Sequence, residues 1–331
     1  MPKPKLAIYG AASCGGCDVA LLNLHEHLLE VAQVFEIVFW PTVMDGKYKD
    51  LETLNNGELT LSLISGSIRT DEMVDLVKLL RTKSQLLIAL GSCAQEGCIP
   101  GLANLSNRQE IFATVFNTPS TDNPNNLQPL ENFAAPEGIL HLPVFTPLLR
   151  TLDQVVAIDY TIPGCPPESE QIWLALQTLM AALDGTGPLP AKGTIIGAGV
   201  TTVCDECPRT RNVKKIKHFV RLPSAEGFEL EICLLEQGLP CNGPATRNGC
   251  GALCPRVNAA CIGCYGAAEG VIDYGARLMS AYASVIDAET PAEIDHILDE
   301  LPDPVGQFYR FSLAGSLLRA GRQAWIETKE L

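Results

Sequence analysis

Thirteen cysteines stand in this 331-residue chain, and their spacing is the feature most able to do chemistry. In "AASCGGCD", Cys14 and Cys17 are three positions apart, which suits either a dithiol that opens and closes or half of a metal site. Cys93 and Cys98 follow in "GSCAQEGC" and Cys165 in "PGCPP". The other eight form four pairs: Cys204 and Cys207, Cys233 and Cys241, Cys250 and Cys254, Cys261 and Cys264. Four pairs make two tetrahedral sets, for which zinc is the plain structural alternative, C-x2-C being a usual zinc spacing. An odd count argues against complete disulfide pairing, and thiols in a reducing compartment are expected as metal ligands or catalytic groups.

The elements that must position these thiols are legible in the pattern of apolar runs. "KLAIYG", "FEIVFW", "LTLSLISG", "QLLIALGS" and "QVVAIDYTIPG" read as strands. "DVALLNLHEHLLEVAQVF", "TDEMVDLVKLLRTK" and "ESEQIWLALQTLMAALDG" carry helical periodicity. Alternation of the two predicts parallel crossovers and an open, doubly wound α/β sheet over residues 1–190. The polar stretch "NTPSTDNPNNLQPLENFAAPEG" interrupts that order and reads as a surface loop. After "DGTGPLPAKGT" the eight paired cysteines lie among glycines and prolines, so residues 191–331 are expected to form a loop-rich domain around bound inorganic matter.

In open parallel sheets ligands bind beyond the carboxyl ends of the strands, where several loops converge. Cys14 and Cys17 follow "LAIYG", Cys93 follows "LLIALGS" and Cys165 follows "VVAIDYTIPG". Four thiols distant in sequence can therefore meet at one sheet edge. An exchange dithiol needs neither Cys93 nor Cys165, so the convergence favours a metal centre. The two glycines of "CGGC" add backbone freedom and N–H groups able to approach inorganic sulfide.

Lysine plus arginine number 24 against 38 acidic residues, a net charge of −14, which disfavours a nonspecific nucleic-acid binder. The start "MPKPKLAIYG" has no long apolar core or small-residue cleavage site, and no later run reaches the roughly 20 apolar residues of a membrane span. A cytoplasmic protein is expected.

Taken together, "SCGGCD", "GSCAQEGCIPGLAN", "PGCPP", "CLLEQGLPCNGPATRNGCGALC" and "CIGCYG" resemble the small subunit of nickel-iron hydrogenases, specifically the viologen-reducing, or deazaflavin-non-reducing, type. The resemblance spans roughly residues 5–270 and implies a flavodoxin-like domain followed by an iron-sulfur domain. It implies three clusters in a line. The proximal 4Fe-4S cluster would take Cys14, Cys17, Cys93 and Cys165, the medial one Cys250, Cys254, Cys261 and Cys264, and the distal one Cys204, Cys207, Cys233 and Cys241. Cys204 stands where periplasmic relatives use a histidine, and Cys254 can complete a medial 4Fe cluster where many relatives hold a 3Fe one. Cys98 is left over, at a position usually glycine in the family. Either Cys93 or Cys98 can face the crevice; Cys93 is expected as the ligand because it directly follows a strand, whereas "AQEG" and "IPG" give Cys98 a less rigid support.

The same resemblance implies an electron-transfer subunit whose hydrogen chemistry occurs in a nickel-iron large subunit. An iron-sulfur adaptor leading to a flavin-containing heterodisulfide reductase, or a nicotinamide-linked module, would accept the electrons. Two other readings stand beside it: the cluster subunit of a quinone-reductase-type complex, which resembles the first domain only, and a zinc-stabilised non-enzymatic interaction module. Asp18 occupies a position where relatives carry a glutamate implicated in proton relay; equally, it is a carboxylate favoured at a helix N-terminus. The basic stretch "PRTRNVKKIKHFVR" is a solvated face, a docking patch, or compensation for the charge of the distal cluster. His25 and His27 read as surface or interface residues, and "GTIIGAGV" lacks the full spacing of a phosphate-binding turn.

Overall fold

The computed structural model describes residues 3–221, 228–301 and 303–321; the outermost residues of the two expected domains, 1–2 and 322–331, lie outside them. Nine strands are present among the described residues: β1 (Lys5–Gly10), β2 (Glu36–Phe39), β3 (Leu59–Ser65), β4 (Ile68–Thr70), β5 (Ser84–Leu90), β6 (Asn132–Ala135), β7 (Gly138–His141), β8 (Phe145–Arg150) and β9 (Tyr160–Ile162). Five of them form one parallel sheet in the order β2-β1-β3-β5-β9. Central strands such as β3, LTLSLIS, are apolar nearly throughout because both faces are covered, as parallel sheets require. One face packs Leu6, Ile8, Leu61, Leu63 and Ile88 with Trp173 and Leu176; the other packs Ala7, Ile64, Leu87 and Ala89 with Leu76 and Leu80.

The helices are α1 (Gly16–Leu22), α2 (His27–Val34), α3 (Tyr48–Thr53), α4 (Asp71–Lys83), α5 (Gly91–Glu96), α6 (Arg108–Phe116), α7 (Ser169–Asp184), α8 (Val203–Glu206), α9 (Leu253–Arg256), α10 (Tyr274–Ala283), α11 (Pro291–Asp299) and α12 (Pro304–Phe308). α4 shows why such segments are helical. The Thr70 hydroxyl caps it by accepting from the Met73 N–H, acids occupy its first turn, and Arg81 and Lys83 its last.

Three local expectations differ from the structure. The helix expected over residues 18–35 is two helices, with His25 in the left-handed region at φ 49° between them. Leu21, Leu24 and Val31 still enter one core, so periodicity marked the buried face and not the continuity of the backbone. Of the strand expected over 154–164, only Tyr160–Ile162 pairs, against Ile88–Leu90; Val155 and Val156 turn back on the Leu152 carbonyl. The polar stretch after α6 contains β6, which forms a hairpin with β7 running on beyond it.

Beyond residue 200 the elements are short, and a separate core forms from Phe219, Leu234, Leu239, Tyr274, Leu278, Tyr282 and Phe308 with Cys241 and Cys261. Rings of Phe219 and Tyr282 stack at 5.6 Å, and Phe308 meets Tyr282 edge-on at 5.4 Å. Among the described residues no helix is long and apolar enough to cross a membrane.

Candidate metal centres

Three loops leaving the parallel sheet carry the first group of thiols. After β1, Gly15 adopts φ +80° and opens α1, which buries Cys17 while Cys14 stays exposed. After β5, Gly91 adopts φ +81° and starts α5, which carries Cys93. A Cβ at Gly91 would lie 2.6 Å from the Cys17 sulfur, so that sulfur sits against bare backbone. After β9, the Gly164 carbonyl accepts from the Ser92 N–H at 2.7 Å, tying the Cys165 loop to the start of α5.

Cys98 joins this group. Its S–H donates to the Cys165 sulfur at 3.5 Å and also hydrogen-bonds Cys93. It is 1% exposed, and its backbone N–H donates to the Phe311 carbonyl at 2.9 Å. The support expected to be loose is thus held by the C-terminal segment, against which Gly97 and Gly101 pack closely at Ala314. Hydrogen bonding from Cys98 holds the Cys93 thiol below its usual value and brings Cys165 down to about 7, while Cys98 itself is pushed up. Burial, and then the sulfurs of Cys93, Cys165 and Cys14, push Cys17 up.

Cys204, Cys207, Cys233 and Cys241 line one small cavity with Arg209 and Arg211. Burial pushes Cys204 up to about 12, with Cys241 and Cys233 adding to the rise and Arg211 opposing it. Burial likewise takes Cys241 to about 11 against backbone N–H groups of Gly243 and Cys261 that favour the thiolate. Arg209, buried within the basic stretch, is spent on structure: it donates to the carbonyls of Pro255 at 2.8 Å and Ile232 at 3.0 Å, and to Asn258. Lys215 and Lys217 of that stretch pair with Asp287 on the surface.

Cys250, Cys254, Cys261 and Cys264 form the remaining group. Burial raises Cys264 to about 12, with Cys250 and Cys254 adding to it. The Cys165 backbone N–H and thiol stand close enough to shift it, the N–H favouring the thiolate and the thiol opposing it. Burial raises Cys261 too, with Cys241 its next largest influence, and the Cys261 N–H lies 3.4 Å from the Cys241 sulfur. The three groups therefore adjoin in the spatial order first, last, middle of the sequence, joined at Cys165–Cys264 and at Cys241–Cys261.

Residues that spacing alone did not single out complete the surroundings. Glu206, inside "CDEC", accepts from the Gly249 and Ala252 N–H groups at 3.1 Å and from the Cys250 S–H at 3.6 Å, linking two groups of thiols. The Ser92 hydroxyl donates to the Cys264 carbonyl. Glu96 approaches Ala267 from α5; its Oε2 is sealed from solvent without a partner, and burial raises its carboxyl to about 7. Asp18 is buried and accepts from the Trp40 indole N–H at 2.7 Å. His27 stacks on Trp173 at 4.1 Å, and neither it nor His25 lies in these groups.

Residues 14–179 match a family profile described as NADH ubiquinone oxidoreductase, 20 Kd subunit. The chain is 40% identical to the iron-sulfur subunit of the F420-non-reducing hydrogenase of Archaeoglobus profundus, over 95% of this chain and 97% of that one. It is 34% identical to the corresponding F420-non-reducing hydrogenase chain of Methanothermobacter marburgensis, covering 96% of each. A solved [NiFeSe] hydrogenase chain from Desulfovibrio vulgaris Hildenborough shares the fold, with a TM-score of 0.52 at 20% identity, over 80% of this chain and 94% of that one.

Proposed function

Because the chain belongs to the family of F420-non-reducing hydrogenase iron-sulfur subunits, small subunits of nickel-iron hydrogenases, we propose that it relays electrons between a large subunit's nickel-iron site and a redox partner. Such small subunits carry iron-sulfur clusters and pair with a large subunit that holds the hydrogen chemistry. For this chain the proposal is three 4Fe-4S clusters: proximal on Cys14, Cys17, Cys93 and Cys165; medial on Cys250, Cys254, Cys261 and Cys264; distal on Cys204, Cys207, Cys233 and Cys241.

The observation that carries this reading is the adjacency of the three thiol groups through Cys165–Cys264 and Cys241–Cys261. The donor chemistry fits. Buried thiols that raise one another's pKa gain from cationic iron, which takes them as thiolates. When bound, each cluster supplies one-electron transfer with little rearrangement. The chain's own residues hold the thiolates in place, exclude water from Cys17, Cys241 and Cys261, and supply N–H and S–H donors that set the potential.

The separate cores on either side of residue 200 support the proposed division into a first domain carrying the proximal site and a second carrying the other two, with Ile196, beyond the expected boundary at 190, still packed in the first core. Asp18, beside Cys17 and closed off by Trp40, is the proposed proton-relay residue. The proposed acceptor is an iron-sulfur adaptor leading to a flavin-containing heterodisulfide reductase, with a nicotinamide-linked module as the alternative, in the cytoplasm. Iron and acid-labile sulfide assays on the anaerobically purified complex test the cluster reading. About twelve irons assigned to this chain, from three sets of four thiols, are expected; stoichiometric zinc with negligible sulfide overturns it.

A further inference from the structure

Away from every cysteine, two histidines and a glutamate converge on the surface of the second core. α11 is a well-set helix: Thr290 and Glu293 form a reciprocal cap at its start, and Ile297 and Leu301 anchor its apolar side. His296 and the C-cap residue Glu300 are four positions apart, one turn, and so share a face. His218 meets them from within the basic stretch itself. Its Nδ1 lies 3.2 Å from Glu300 Oε1, its ring meets His296 edge-on at 6.4 Å, and one donor atom from each of the three residues lies within 4.8 Å of the others.

We infer that His218, His296 and Glu300 form a binding site for a divalent cation of the zinc class. Zinc takes imidazole nitrogen and carboxylate oxygen at about 2.0–2.2 Å, which puts neighbouring donors of a tetrahedron roughly 3.3 Å apart. His218 and Glu300 already stand at that separation, and a donor nitrogen of the exposed His296 ring lies within 4.8 Å of both. The donor set, two imidazoles and one carboxylate without a thiol, suits zinc and the later first-row divalent ions and leaves a fourth position for water.

The scaffold behind the donors is rigid in the way such sites need. Glu300 Oε2 accepts the Phe219 N–H at 2.5 Å, orienting the carboxylate from behind. Phe219 is buried against Tyr282, and the Val220 N–H donates to the Gly238 carbonyl at 2.9 Å, so the backbone on the far side of His218 is held. Lys215 and Lys217, close to His218 in sequence, are engaged by Asp287. A bound ion would clamp α11 to the segment leading from Cys207 toward Cys233. The site stands independently of what the cysteines bind.

Zinc counting on the intact complex decides it. The anaerobic complex is stripped with a mild chelator, equilibrated with zinc chloride at about micromolar free metal, and assayed for zinc and iron together. The expected result is one zinc per chain more in the wild type than in His218→Ala or His296→Ala, with iron unchanged. Glu300→Gln, which keeps an acceptor for the Phe219 N–H, should weaken binding at least about tenfold. Zinc captured by thiols appears equally in wild type and variants, so equal zinc in all of them overturns the site. Zinc should also protect His218 and His296 of the wild type, and not His141, from diethylpyrocarbonate as read by mass spectrometry. Unprotected rings would likewise overturn it.

Discussion

The S–H of Cys98 donates to the sulfur of Cys165 at 3.5 Å, so a thiol outside the expected ligand set is a direct neighbour of one inside it. A serine at position 98 keeps an O–H donor there, and Cys98→Ser should retain the three proposed clusters and most activity, whereas Cys93→Ser should lose the proposed proximal one. Cys98→Ala removes the donor. A hydrogen bond worth about 1 kcal/mol corresponds to roughly 40 mV for a one-electron couple, so its proximal potential should fall by that order. Iron counts and redox titration followed by electron paramagnetic resonance read both effects; loss of iron in Cys98→Ser with retention in Cys93→Ser would exchange the two roles.

Gly91 leaves no room for a side chain beside Cys17. A Cβ 2.6 Å from that sulfur, on backbone at φ +81°, must displace it. The left-handed backbone alone costs about 1–2 kcal/mol for a residue with a Cβ. Gly91→Ala should therefore lower thermal stability and the iron held by the first group, while the iron of the other two groups is retained. An unchanged iron count and melting temperature would contradict the packing described.

Glu206 spans two thiol groups. Glu206→Ala leaves the N–H groups of Gly249 and Ala252 without their acceptor, at roughly 1–3 kcal/mol for each that stays buried. The expected consequence is faster loss of medial-site iron to chelators, with Glu206→Gln intermediate. Equal loss rates in all three proteins would show that the loop stands without this carboxylate.

Glu96 makes stability depend on pH. Its folded carboxyl titrates at about 7, above its ordinary value of 4.5, because burial disfavours the charged form. Between those values the folded chain holds a proton that the unfolded chain has released, so stability falls as pH rises through the interval and levels off above it. The full effect is on the order of 3 kcal/mol. Glu96→Gln, which cannot ionise, should lose less melting temperature than wild type between about pH 5 and about pH 7; parallel profiles would count against a buried acid at this position.

Asp18 and Trp40 separate a structural role from a chemical one. Asp18→Asn keeps an oxygen to accept the indole N–H, so the fold should survive. If Asp18 passes protons, hydrogen oxidation by the complex should slow at least about tenfold while electron transfer from dithionite to the clusters is unaffected. An unchanged rate would leave Asp18 as the partner of Trp40 alone.

Much of the first site was legible because strand ends in a parallel sheet converge by construction: once "KLAIYG", "QLLIALGS" and the end of "QVVAIDYTIPG" are strands, Cys14, Cys17, Cys93 and Cys165 share an edge. The apolar runs of β1, β3 and β5 are readable for the same reason, since burial on both faces leaves little room for polar residues. The placement of Cys98 was not readable. It depends on α5 lasting only six residues, on Gly97 at φ +89° reversing the chain, and on Phe311 and Ala314 arriving from the far end to hold it. Spacing gave no access to the contacts Cys165–Cys264 and Cys241–Cys261, which set which paired group adjoins which, nor to His218 meeting His296 and Glu300. Local sequence encodes backbone preference and the buried face of each element, whereas neighbours distant in the chain are chosen by how whole elements pack, and that information is shared among all of them.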